Sequence, residues 1–186
     1  MRVIIFEGLD KVGKTTTILK LKKVIEEQGK IPIIFNTPYQ IKCNCANDVA
    51  TKLNISMLVL KQMFEEYDDN YICLIDRFHL SEMVFGPRLR NGYDLTTCIK
   101  IDDFLAHHSV FLVYIKPDSL NENFDKFKDE NGKLDGFGRI EYKSLAYFFN
   151  KVYRWTKIKK TFITTSEIDS SLLRLLKFKG VFKWKR

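Results

Sequence analysis

The stretch GLDKVGKT, Gly8 to Thr15, places two glycines, a lysine and a hydroxyl at the spacing G-x-x-x-x-G-K-[ST]. Residues of these types at this spacing grip a polyanion. Gly8 and Gly13 permit a tight turn, backbone donors from Val12 through Thr16 meet phosphates at a helix N-terminus, Lys14 reaches the terminal phosphates, and the Thr15 hydroxyl is a ligand for Mg²⁺. Asp10 and a second lysine, Lys11, stand inside the same loop. An acid set in a phosphate grip needs a partner other than the phosphate.

A second group of candidates lies in IDRFHLSEMVFG. Asp76 and Arg77 follow an apolar run of strand length, which puts them at a carboxyl end of the sheet, where α/β folds bind ligands. An aspartate there can hold Mg²⁺ through water, and the arginine offers a fork matched to a phosphate. His79 is close enough in sequence to line the same site, whereas His107 and His108 read as surface residues at a turn. Lys126, Lys128, Lys133 and Arg139 surround the glycine-containing segment Asn131 to Gly138, which reads as a positively charged flap, with Arg139 as its leading candidate.

The elements that must position these residues are legible from hydrophobic patterning. Apolar runs at Val3–Phe6, Ile31–Phe35, Tyr71–Ile75, Val110–Ile115 and Thr161–Thr165 have strand length, and their near-continuous apolarity points to burial on both faces, as in a parallel sheet. Helical spacing is present from Thr15 to Gln28, with Gly29 as a stop, from Ser56 to Tyr67, and from Ile140 to Lys160. Asn47 or Asp48 is expected to cap a further short helix before Ser56. Strand and helix alternate, so the expectation is a doubly wound α/β sheet in one domain over residues 1–186.

Composition narrows the partners. The chain of 186 residues carries a net charge of +8, which favours an anionic ligand. Part of that charge lies in the terminal run KFKGVFKWKR, where basic residues alternate with aromatics; such a tail either holds nucleic acid by charge and stacking or is a solvated segment packed on the body. No apolar run is long enough to cross a bilayer and no signal-peptide pattern opens the chain, so a cytoplasmic protein without membrane association is expected. The four cysteines show no paired spacing and are read as reduced thiols, Cys43 and Cys45 as part of an ordinary loop rather than a metal site.

FEGLDKVGKTT, followed by a strand-terminal DRF and then Ser81, resembles the thymidylate kinase group of P-loop nucleoside monophosphate kinases. HSVFLVYIKPDSL is similar to that family's fourth strand and following helix, and KLDGFGRIEYKSLAYFFNKVYRW to its lid and the helix after it. The resemblance implies a P-loop kinase fold with a five-stranded parallel sheet, helices on both faces and a small lid at about 126–140. It also implies ATP and Mg²⁺ as cofactors, with Thr15 and Asp76 toward the metal. The implied reaction is transfer of the γ-phosphoryl group to a deoxynucleoside monophosphate such as dTMP.

By the same resemblance, Asp10 faces the acceptor's sugar hydroxyl or a phosphate-binding arginine, and Lys11 stabilises charge on the group in flight. Arg77 orients the acceptor phosphate and Ser81 supports it. Pro38, Tyr39 and Gln40 are implied acceptor contacts, and Phe64 is either a core aromatic or a ring on which a base stacks. The sequence departs from the family in two places. The acceptor-binding arginine of the helix before the DR strand is missing from SMLVLKQMFEEYDD, and Phe85–Gly86 stands where relatives carry an aromatic and a polar base-reading residue. Those departures leave two alternatives beside the monophosphate kinase: a kinase acting on a nucleoside or on a modified-base hydroxyl within DNA, and a relative that binds without turnover. The family's habit of dimerising makes a homodimer a further expectation.

Overall fold

The structure, a computed structural model, describes residues 1–36, 45–90 and 92–170. Five strands form one parallel sheet: β1 (Arg2–Gly8), β2 (Ile31–Asn36), β3 (Tyr71–Asp76), β4 (Val110–Lys116) and β5 (Lys159–Thr164), in the order β2-β3-β1-β4-β5. β1 and β4 are buried almost throughout, as their unbroken runs of Val, Ile, Leu and Phe require. The two edge strands are more open and carry the marks of edges. β2 contains Pro32, which has no N–H to give a ladder, and β5 exposes Phe162.

Seven helices connect and flank the strands among the described residues: α1 (Lys14–Glu27), α2 (Ala46–Glu66), α3 (His79–Leu89), α4 (Leu95–Ala106), α5 (Leu120–Phe127), α6 (Arg139–Trp155) and the short α7 (Glu167–Ser170). α1 packs on β1, β2 and β3, while α2 to α6 touch one another in the pairs α2–α4, α3–α4, α3–α6 and α5–α6. Right-handed crossovers put α1 on one face of the sheet and the connected layer on the other, since the chain moves outward from β1 to β2 and then back across β3 and β1 to β4. The five strands and both covered faces are those expected from the apolar runs.

Several boundaries differ from the periodicity. The segment expected to hold a short capped helix and then a second one is a single helix, α2, of 21 residues; Cys45 is its N-cap and Asp48 sits in its first turn, favourably placed for the helix dipole. α6 stops at Trp155, short of Lys160, because the chain must turn at Thr156 to enter β5 at Lys159. α3 carries too little amphipathic contrast to be read from spacing, being buried along most of its length where it packs against β1, α4 and α6. Lys126 lies within α5, so the loop between α5 and α6 runs over 128–138, with Arg139 as the first residue of α6.

Candidate active site

The carboxyl ends of β1 and β3 lie side by side, with Phe6 level with Asp76. Connections leave these two strands in opposite directions, so a crevice opens between them. The phosphate loop leaves β1 there. Gly8 has φ of 145°, and a Cβ on it would meet the Ile115 carbonyl oxygen at 2.4 Å, so only glycine lets β1 end against β4. Gly13, with φ of 84°, is the left-handed cap from which α1 starts. Lys14 is only 6% exposed and donates to the Leu9 carbonyl at 2.5 Å. Burial, with the charge of Arg77, lowers its pKa to about 8, against the opposing pull of Asp10, Asp76 and Glu7. A phosphate bound beside it would stabilise the charge that burial disfavours.

Asp10 finds the partner that its place in the loop demands, because Arg77 donates to its carboxylate and also to the Gly8 carbonyl at 2.9 Å. Arg77 is held in a left-handed conformation, φ 66°, by what surrounds it. Its N–H donates to the Phe6 carbonyl, its guanidinium reaches Ser81 Oγ at 3.2 Å, and the group lies over the Phe85 ring at 5.0 Å. Beneath it Glu7 is buried and accepts from the Phe78 N–H at 2.8 Å, the Ser81 N–H at 3.3 Å and the Ser81 hydroxyl. Burial raises the Glu7 pKa, and these hydrogen bonds oppose that rise. Glu7 therefore clamps the start of α3 to the end of β1. Periodicity hides it as one more residue of a buried strand.

Thr15 Oγ1 donates to Asp76 Oδ2 at 2.7 Å, bringing together the two residues expected to serve a metal. A hydroxyl and a carboxylate are hard oxygen donors that suit Mg²⁺, which keeps most of its shell for water and phosphate. The donor set fits the ion.

Two clefts flank the loop. The larger, of about 630 Å³, is lined by Asp10, Lys14, Thr15, Asp76, Arg77 and Ser81 near the loop, and farther along α3 by Glu82, Phe85, Leu89 and Arg90. Asp135 and Phe137 close it from the 128–138 loop. The smaller, of about 350 Å³, lies on the β4–β5 side, between Val12, Gly13, Thr16 and Lys20 of the loop and α1, Pro117 and Asp118 after β4, Lys126 and Phe127 of α5, and Thr165. Asp118 accepts from the Ser166 N–H at 3.0 Å and hydroxyl at 2.7 Å and from Thr165, and hydrogen bonding from those two residues holds its pKa at about 2. Lys11, at φ 60°, lines both clefts.

The structure gathers Gly8, Asp10, Lys11, Val12, Gly13, Lys14, Thr15, Thr16, Asp76, Arg77 and Ser81 around this crevice. It does not bring Phe64 there. Phe64 packs edge-on to Phe104 and tilted against His108 near the amino ends of the strands, one turn before Tyr67, whose carbonyl accepts from the Met1 amino group. The stacking role is corrected to packing between α2 and α4. Arg139 is likewise displaced: it pairs with Asp125 and lies over the Phe124 ring at 5.0 Å, outside the lining of both clefts. His79 is buried with its Nε2 3.0 Å from Asp102, which also accepts from Thr156, so it ties α3 to α4 and the end of α6. Pro38, Tyr39, Gln40, Cys43 and the basic tail lie outside the described residues. Glu7, Glu82, Arg90, Asp135 and Phe137 were missed. Only Glu82 carried a signal, as a charge inside the otherwise apolar LSEMVFG.

A parallel sheet with a phosphate loop after its central strand and an Asp-Arg pair after the next defines the P-loop kinase fold. Among solved structures the chain is similar to the Bacillus subtilis YorR protein, crystallised in complex with phosphorylated GDP (18% identity, 96% of each chain, TM-score 0.67). It is also similar to the thymidylate kinase of Ehrlichia chaffeensis (15% identity, 95% of this chain and 97% of that one, TM-score 0.64). In sequence it is 27% identical to the thymidylate kinase of Caldicellulosiruptor saccharolyticus over 134 residues, which take in 63% of this chain and 61% of that protein. No family model matches. The fold is thus that of P-loop kinases, and in sequence the chain is similar to a thymidylate kinase over the span just given.

Proposed function

We propose that the protein transfers the γ-phosphoryl group of ATP to a deoxynucleoside monophosphate, with dTMP as the leading acceptor. The observation that carries this reading is the Asp10–Arg77 pair, set beside Lys14 and facing the larger cleft. An acceptor phosphate would take the fork of Arg77, and the freed Asp10 carboxylate would receive the sugar hydroxyl. ATP would lie with its base in the smaller cleft and its phosphates on the loop. An acceptor phosphate oxygen then bonds to the γ-phosphorus as the bond to the β–γ bridging oxygen breaks, leaving ADP. Such transfer needs positioning and charge neutralisation more than covalent help.

Lys14 holds the donor phosphates, and Lys11, which lines both clefts, is placed to follow charge on the group in flight. Arg139 would take part only after leaving Asp125. Thr15 and Asp76 would hold Mg²⁺, which neutralises phosphate charge when bound. The partners proposed are thus ATP, the acceptor nucleotide and a second copy of the chain. For the last, Ile55, Leu58 and Val59 of α2 and Leu95 and Ile99 of α4 form an exposed apolar stripe on two packed helices.

Labelled ATP and Mg²⁺ incubated with dNMPs, NMPs, free nucleosides and single- and double-stranded DNA test the reaction. Label is expected first in a deoxynucleoside diphosphate, that of dTMP above the rest. Label in nucleosides or DNA with every monophosphate inert would overturn the reading.

A further inference from the structure

The far wall of the larger cleft carries a buried ion pair. α3 and its C-cap Arg90 present two adjacent rows, Ser81, Phe85 and Leu89 in one and Glu82, Gly86 and Arg90 in the other, each at a spacing of four residues, and all but Gly86 line that cleft. At about 1.5 Å per residue, Arg90 stands roughly 13 Å along the helix from Ser81. The wall therefore runs from Arg77, which faces the phosphate loop, past an aromatic ring to a second arginine. Arg90 Nη1 donates to Glu82 Oε2 at 2.7 Å, and the two side chains are 9% and 3% exposed. Among the described residues, Arg90 Nε and Glu82 Oε1 are buried without a hydrogen-bond partner. A core has little use for such a pair, since desolvating two charges offsets most of their attraction unless every donor and acceptor is met.

Gly86 shows how the wall is built. A Cβ at that position would lie 2.6 Å from Glu82 Oε1 and 2.9 Å from the Gly92 carbonyl oxygen. Glycine thus admits Glu82 beneath the helix and leaves the position after Phe85 without a side chain. The polar group of the wall comes from one turn later. One Glu82 oxygen accepts from Arg90 and the other, though unpartnered, is buried on the side where a Cβ at Gly86 would meet it, so what the pair can offer a ligand is the guanidinium, which only donates.

Resting on the kinase reading above, we infer that Arg90, braced by Glu82, is the base-selecting residue. It favours a deoxynucleoside monophosphate whose outer base edge carries a carbonyl oxygen, as in thymine, uracil or guanine, over one that carries an amino group there, as in cytosine or adenine. The phosphate sits at Arg77, the ring lies along Phe85, and the outer carbonyl meets Arg90. An amino group would set donor against donor, with one Glu82 oxygen bonded to Arg90 and the other buried out of reach.

Equilibrium binding of dTMP, dUMP, dGMP, dCMP and dAMP to the full chain, with ATP binding measured in parallel, tests the assignment. The first three should bind roughly 10- to 100-fold tighter than the last two, the discrimination expected of an arginine on a carbonyl edge. Arg90→Met should reduce that preference to within about threefold, with ATP affinity unchanged, and Arg90→Lys should keep part of it. Should Arg90→Met unfold because Glu82 is left buried alone, the neutral Glu82→Gln/Arg90→Met pair gives the same readout in a folded protein. A preference that survives loss of Arg90, or wild-type protein that binds all five alike, overturns the inference and leaves the kinase reading standing. ATP binding with no affinity for any monophosphate overturns both.

Discussion

Lys14 carries a consequence that belongs to a single side chain. Burial lowers its pKa to about 8, below the ordinary lysine value, so in the free protein it loses its proton as pH rises through that point. On the proposed reading, ATP needs the charged form. ATP affinity should therefore be constant below about pH 7 and fall by up to about tenfold per unit above pH 8, the direction that linkage requires when the ligand binds only the protonated state. The same linkage makes the fold gain stability between pH 8 and the unfolded lysine pKa, because there the unfolded chain holds the proton that the folded one has released. Titration calorimetry across pH 6.5 to 9.5 checks this. Lys14→Arg, which stays charged, should abolish the fall; a fall that persists in that variant would place the titrating group elsewhere.

At the scale of elements, the junction of β1, β3 and α3 decides whether Arg77 points at the cleft. Glu7 receives two N–H groups and a hydroxyl from the segment Phe78 to Ser81, and this holds Arg77 in its left-handed turn. Ser81→Ala would remove one donor to a buried carboxylate and one contact to Arg77. It should cost about 1–3 kcal/mol of stability, as expected when a buried charged group loses a partner. Because the turn is loosened next to the proposed acceptor-phosphate site, KM for the acceptor should rise while KM for ATP stays close to wild type. Urea melts and steady-state kinetics read the two effects separately. A second tie links the far end of the site to the loop, since the Tyr142 hydroxyl of α6 accepts from Asn123 of α5 at 2.6 Å and lies 3.5 Å from the Asp10 carbonyl.

The molecule as a whole leaves one face poorly explained by its own core. Leu58 is 59% exposed, with Ile55 and Val59 beside it on α2 and Leu95 and Ile99 on the neighbouring α4. Single exposed leucines are ordinary, but a stripe over two packed helices marks an interaction surface. The chain is expected to sediment as a dimer, and Leu58→Glu should shift it to monomers without loss of helix content. Sedimentation of both proteins beside circular dichroism makes the comparison. A wild-type monomer at micromolar concentration would remove the dimer.

The sequence by itself determined the sheet and the grip. Long unbroken apolar runs can be buried only on both faces, and a glycine-lysine loop between such a run and an amphipathic helix has one structural use, so β1, the phosphate loop and the Asp76–Arg77 strand end were all readable. What the sequence could not give is which side chains meet across distant elements. The Arg77–Asp10 pair spans 67 positions and the Glu7 clamp more than 70, and neither has a local pattern. The same holds for the removal of Phe64 to the opposite end of the sheet and of Arg139 to Asp125. Periodicity reports only that one face of a helix is covered, and Phe64 satisfies it equally well against His108 as against a ligand. Arg90 was hidden for the converse reason: a charge at the end of a helix looks like a surface residue until the tertiary structure buries it with Glu82 beside a cleft.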